Sequence, residues 1–146
     1  MSKSSDTTCE CKYKFLAAKV LSDSRKGARA KAAISIGDVA KEAEGRGDGP
    51  IDALYDAILK ILGMEGSLTE FIAKALIEDG KASAVVDIVW QDDAGKLWHG
   101  KGIHIDIISA AGMALIDVFN SVDKKHVGDR EKNRQSFVDN LIKTND

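Results

Sequence analysis

The chain has 146 residues, of which 44% are apolar and 30% charged, with a net charge of −2. This is the composition of one globular domain with room for a core. It excludes an electrostatic case for nucleic acid or an acidic membrane surface, and no apolar run approaches a membrane span.

Residues 1–11 are polar, lack the apolar centre of a secretory signal and read as a disordered tail. The only cysteines, Cys9 and Cys11, sit in this tail and cannot staple a fold, which points to the reducing cytoplasm. Two thiols alone do not make a metal site, so no metal is expected.

Residues 13–21 carry apolar side chains on both parities and predict a strand; 22–27 read as a turn. Ala30, Ala32, Ile34 and Ile36 alternate with more polar positions in a second strand. Gly37-Asp38 suits a type II′ hairpin, and 39–44 return as the third strand. Residues 45–50 are expected to break regular structure. Pro50 suits a first helical turn, and Ile51, Leu54, Ile58, Ile61 and Leu62 form a helical stripe ended by Gly63 and Gly66.

The second half repeats this order. Residues 68–79 alternate as a long half-buried strand, Asp79-Gly80 signals a turn, and 82–90 read as a central strand. After a longer loop at 91–95, residues 96–101 return as a strand with Trp98 facing Trp90. From Asp106, the positions Ile108, Ala111, Leu115, Val118 and Phe119 form a second stripe. The charged tail 121–146 holds a possible third helix at 131–143 through Phe137, Val138, Leu141 and Ile142.

The fold class is therefore α+β: two βββα repeats related by a pseudo-twofold, with antiparallel three-stranded sheets packed with two helices. Repeat one covers 12–63 and repeat two 67–120, together one domain over 12–120. Two sequences carry the repetition, Gly45-Arg-Gly47-Asp48-Gly49-Pro50-Ile51-Asp52-Ala53 and Gly100-Lys-Gly102-Ile-His-Ile-Asp106. Each Gly-x-Gly follows a strand and opens a helix in this reading. A helix start offers unpaired N–H groups and partial positive charge to a carboxylate. Asp52 and Asp106 could answer an ammonium, or simply cap their helices. Leu68, Phe71, Ile51, Ile105 and Ile107 could wall an apolar side chain, or simply fill the core.

These motifs, with Leu68-Thr-Glu-Phe71 and Asp106-Ile-Ile-Ser-Ala110, resemble the C-terminal regulatory domain of the α-isopropylmalate synthases. The citramalate synthases carry a similar domain. The resemblance covers about residues 13 to 120. It implies a non-catalytic homodimer that binds leucine or isoleucine for feedback inhibition of a catalytic barrel domain or subunit. It implies a ligand set of Gly47, Asp48, Gly49, Pro50, Ile51, Asp52, Leu68, Phe71, Ala82, Ile105, Asp106, Ile107 and Ala110, with no cofactor. The chain departs from the family pattern at Phe71, where the family has a tyrosine, and at Ala111, where it often has a serine. A barrel of this kind needs roughly 250 residues and cannot fit in the chain. Two other readings compete: a dimerisation module whose ligand site has decayed, and a small enzyme using His99, His104 and Asp106. The second lacks a nucleophile–base–orienter set.

Overall fold

The structure is a computed structural model that describes residues 12–123. The tail at 1–11 with its two cysteines, and the proposed helix at 131–143, lie outside the described residues. Six strands are present: β1 Tyr13–Asp23, β2 Gly27–Ile36, β3 Val39–Gly47, β4 Ser67–Glu78, β5 Lys81–Gln91 and β6 Leu97–His104. Helix α1 spans Pro50–Leu62 between β3 and β4. Helix α2 follows β6 and runs through 107–123 as far as the described residues extend. The strands form two antiparallel sheets, β1-β2-β3 (sheet A) and β4-β5-β6 (sheet B). The architecture is α+β, built from two βββα units.

Local chemistry explains the hairpins. Gly37 has φ 62 and Asp38 does not share its positive sign, as a turn with glycine first requires. Asp79 and Gly80 have φ 53 and 78, the doubly left-handed pair of a type I′ turn, for which Asp-Gly is a favoured sequence. The longer β5–β6 loop is organised by Asp92, whose carboxylate accepts the Ala94 and Lys96 N–H groups and the Trp98 indole N–H.

The two units match in detail. Each first strand carries a β-bulge: Leu16 is the extra residue between Phe15 and Ala17, and Thr69 the extra one between Leu68 and Glu70. The bulges fall beside corresponding positions, Ile34 in one unit and Trp90 in the other. On the inner face of β2, Ala28, Ala30, Ala32 and Ile34 are buried; on β5 the buried set is Val86, Ile88 and Trp90.

The helices lie almost directly on the edge strands. A Cβ built on Gly45 would run into the Ala57 N and, at 2.5 Å, the Ala53 carbonyl oxygen of α1. One built on Gly102 would run into the Ala110 carbonyl oxygen and, at 2.8 Å, the Ala114 N of α2. Gly47 and Gly100 face Ala53 and Ala114 in the same way. Two expectations are corrected here. Gly45 and Gly47 do not break the chain before a helix; they belong to β3, as Gly100 and Gly102 belong to β6, and the missing side chains let a helix approach the strand backbone. The repeat is also offset by two residues from its apparent alignment. Gly45 corresponds to Gly102, not Gly100, because these two meet equivalent helix atoms.

Side chains then lock helix to strand. Asp56 on α1 accepts the Arg46 N–H of β3 at 2.9 Å, and Asp117 on α2 accepts the Lys101 N–H of β6 at 3.0 Å. Lys60 bridges Asp56 at 3.1 Å and the Glu44 carbonyl oxygen at 3.2 Å. Between the units, the Tyr55 hydroxyl donates to the Ala111 carbonyl oxygen at 2.7 Å, tying α1 to α2. Burial raises the Tyr55 hydroxyl pKa well above its ordinary value. Asn120 of α2 accepts the Tyr13 N–H and donates to the Tyr13 carbonyl, each at 2.9 Å, so the second helix holds the first strand. At the centre Trp90 meets Tyr55 and Phe119 edge-on, with ring centroids 6.5 and 5.7 Å apart.

Gly102→Ala should destabilise the protein by about 1–3 kcal/mol or more, the cost of forcing atoms into a packed site. Gly49→Ala, whose new Cβ would meet nothing closer than 3.9 Å, should cost much less. Urea unfolding of both variants checks this; equal losses would refute the close-approach role. Asp56 makes a second test. Its pKa is lowered, first by the Arg46 N–H bond and further by Lys60, against an opposing desolvation effect. A folded-state pKa below the unfolded value means that ionised Asp56 favours folding above the ordinary Asp range near 3.9. That contribution fades as pH falls through the lower, folded value. Asp56→Asn should be less stable than the parent at pH 7, with the difference shrinking towards pH 2. Denaturation midpoints across that range measure it; a constant difference would contradict the assignment.

Candidate functional site

Each unit ends in the same place, where a helix begins and the tip of a long hairpin extends past it. The two helix starts are built differently. At α1 the N-cap is Gly49, in an extended conformation with no side-chain cap, followed by Pro50. Its carbonyl accepts the Ala53 N–H at 3.0 Å. The Ile51 and Asp52 N–H groups therefore belong to the unpaired first turn of a helix. Asp52 is exposed in that turn, where its charge suits the helix dipole.

At α2 the corresponding position is Asp106, whose carbonyl accepts the Ala110 N–H at 2.9 Å. Its carboxylate accepts the N–H and the hydroxyl of Ser109, both at 3.0 Å. The Asp106 N–H in turn donates to His104 Nδ1 at 3.0 Å. Asp52 and Asp106 are thus not equivalent, as the sequence pattern suggested. One lies inside the first turn, and the other caps its helix with a carboxylate from the chain itself.

The hairpin tips also differ. Beside the start of α2, Ala73, Ala75, Ala82 and Ala84 with Ile105 and Ile107 line a recess of about 330 Å³, with Lys74 and Ser83 at its margin. Three large apolar side chains stand open at this end: Ile105 is 78% exposed, Ile77 68% and Ile107 44%. That is unusual for isoleucine and marks a surface with something to cover. The corresponding end of sheet A holds a more polar cleft of about 570 Å³, bounded by Leu21, Asp23, Lys26, Arg29, Arg46 and Gly47 among others.

The structure brings together Ala82, Ile105 and Ile107 in the apolar recess, beside the capping Asp106. Gly47 borders the polar cleft, and Asp48, Gly49, Pro50, Ile51 and Asp52 follow it into α1. Ala110 is fully buried beneath Gly102 and reaches neither opening. Leu68 and Phe71 are half-buried on the inner face of sheet B, opposite Trp90 and Ile88, and pack against the core. Sequence reasoning missed Ala73, Ala75 and Ala84. Their signal was present as small residues on two strands joined by a tight turn, which the register sets opposite each other as Ala75 and Ala84. His99 and His104 do not converge with a third ligand; among the described residues no group of three His, Cys, Asp or Glu side chains could hold a metal ion. No described helix is long and apolar enough to cross a membrane.

Residues 1–122 match the family described as the LeuA allosteric (dimerisation) domain. The chain is 39% identical over 93 residues to a 2-isopropylmalate synthase of Vibrio atlanticus, covering 62% of this chain and 18% of that protein. It is 40% identical over 91 residues to the 2-isopropylmalate synthase of Photobacterium profundum, covering 61% and 17%. To that of Aliivibrio salmonicida it is 42% identical over 90 residues, covering 60% and 17%. The aligned part thus spans less than a fifth of these curated relatives. The matching family is defined by the allosteric, non-catalytic part of such synthases. With two βββα units of the expected order and a family match across nearly all of the described residues, the chain belongs to the LeuA allosteric (dimerisation) domain family.

Proposed function

We propose that the chain is an amino-acid-sensing regulatory domain of a cytoplasmic transferase of the 2-isopropylmalate or citramalate synthase type. It binds leucine or isoleucine as a homodimer and feeds end-product inhibition back to a catalytic barrel. The family's description as allosteric and dimerising, and the names of the relatives, support the general reading.

The observation that carries the ligand is the apolar recess of alanines and isoleucines at the hairpin tip of sheet B. A branched-chain amino acid needs an apolar cup, N–H donors for its carboxylate and an anion for its ammonium group. The recess supplies the first. The start of α1, with no side-chain cap, supplies the second. Asp48 and Asp52, both exposed beside that start, supply the third. A second copy seated over Ile77, Ile105 and Ile107 would bury what remains exposed of those side chains, a part of the roughly 1.5–3 kcal/mol that full burial of each is worth. The cup and the open helix start lie in different units of the chain, so a dimer is the natural setting in which they face one ligand.

Calorimetric titration with leucine, isoleucine and valine tests this directly. Leucine or isoleucine should bind and raise the melting temperature; at 100 times Kd the stabilisation is about 2.7 kcal/mol. Ala84→Leu, which fills the recess, should weaken binding at least tenfold while light scattering still reports a dimer. A dimer that responds to none of the three amino acids would leave only the dimerisation role.

A further inference from the structure

The basic end of sheet A is not used by the amino-acid reading. Arg29 and Arg46 are direct cross-strand partners in the β2–β3 ladder, and both are exposed. Opposed side chains of this kind have Cβ atoms about 5 Å apart, and like charges there are destabilising. Lys26, in the turn between β1 and β2, borders the same cleft. Among the described residues, no ion pair involves any of the three. Asp23 is the one acidic residue bordering the cleft, and its Oδ1 already accepts the Arg25 and Lys26 N–H groups at 2.8 and 3.2 Å. Glu44, the nearest acid along β3, stands opposite Lys31.

The second unit serves as an internal control. At the corresponding place in sheet B, the directly opposed pair is Val85 and Ile103, and the residue matching Lys26 is Ala82. Sheet B carries one cation at this place, Lys74 beside Val85, where sheet A has three, so the fold does not need the basic cluster. Among the described residues, three cations with no ion-pair partner thus border a cleft of about 570 Å³ that holds a single carboxylate, Asp23, and their like charges repel. An anion between them would turn that repulsion into attraction. Guanidinium forks match the oxygens of a phosphate in paired hydrogen bonds, and the lysine adds a third charge. Three cations and the Asp23 carboxylate leave the cleft a net charge of +2, which a diphosphate answers and a single carboxylate does not.

We propose that Arg29 and Arg46, with Lys26, form an oxyanion site for a small molecule carrying a diphosphate group. It adjoins the start of α1 that the proposed amino-acid site uses, with Gly47 at its border, and takes a different ligand. The test is calorimetric titration of the full chain with pyrophosphate at constant ionic strength, with sulfate as the competing anion. Pyrophosphate should bind saturably and at least tenfold more tightly than sulfate. Arg29→Gln and Arg46→Gln should each weaken it tenfold or more, and Lys60→Gln, a change at a cation already paired with Asp56, should not. Because the substitutions remove like-charge repulsion, the melting temperature of ligand-free Arg29→Gln should equal or exceed that of the parent. Equal binding of sulfate and pyrophosphate, or pyrophosphate binding unaffected by Arg29→Gln, would overturn the proposal. So would loss of the leucine response in Arg29→Gln, since that would assign the arginine to the amino acid's carboxylate. A retained leucine response alongside lost pyrophosphate binding would support two sites.

Discussion

Direct contact between a helix and a strand backbone sets the geometry of this molecule. Where β3 and β6 carry glycine, α1 and α2 come close enough that a single added carbon would collide with helix backbone atoms. The helix side of the contact is equally bare, formed by Ala53 and Ala57 in one unit and Ala110 and Ala114 in the other. Such closeness leaves little freedom for the helix to slide or rotate. Asp56 and Asp117 complete the fixation by accepting the strand N–H between the paired glycines. The position of each helix start, and so of each candidate ligand surface, follows from these contacts.

The same contacts explain what could be read in the sequence and what could not. Strand order, hairpin positions and helix spans were legible because alternation, turn residues and the 3.6-residue stripe are local signals. The first Gly-x-Gly was legible as important but not as strand, because glycine lacks the side chain by which alternation is recognised; the second was read as strand only as far as Lys101. The role of each depends on a helix several residues further along the chain. The helix stripes did mark the buried faces: Leu54 and Ile58 are fully buried, and Ile51, Ile61 and Leu62 pack against the core. The tightest contacts, however, come from Ala53 and Ala57, which carry little hydrophobic weight. The two-residue offset between units was also hidden. Two short motifs align best on their glycines, while the structure aligns them on the helix atoms that each glycine faces.

The candidate site was legible only in part. Ile105, Ile107 and Ala82 were singled out and do converge. The rest of the recess depends on cross-strand register, which sets Ala75 opposite Ala84 and Ile77 opposite Ala82. Asp106 shows how a cap and a ligand residue look alike in one dimension: both are an acid before an apolar helix. In three dimensions its carboxylate is already hydrogen-bonded to Ser109, whereas the glycine in the corresponding place on α1 leaves its helix start uncapped.

Duplication makes the differences between the units informative, because each supplies the structural baseline for the other. Trp90 stands where the first unit has Ile34, and its indole Nε1 is buried with no hydrogen-bond partner among the described residues. An unpaired buried donor costs about 1–3 kcal/mol. The ring's burial against Tyr55 of α1 and Phe119 of α2 offsets that cost. Fitting it required Gly66, at φ 143, because a Cβ there would lie 2.5 Å from the same indole nitrogen. The first unit, with smaller side chains on β2, needs no such concession. One half has thus taken the larger share of the core and an apolar tip, while the other has kept a small-residue core and a basic tip. That division gives a duplicated scaffold two unlike surfaces on a common frame.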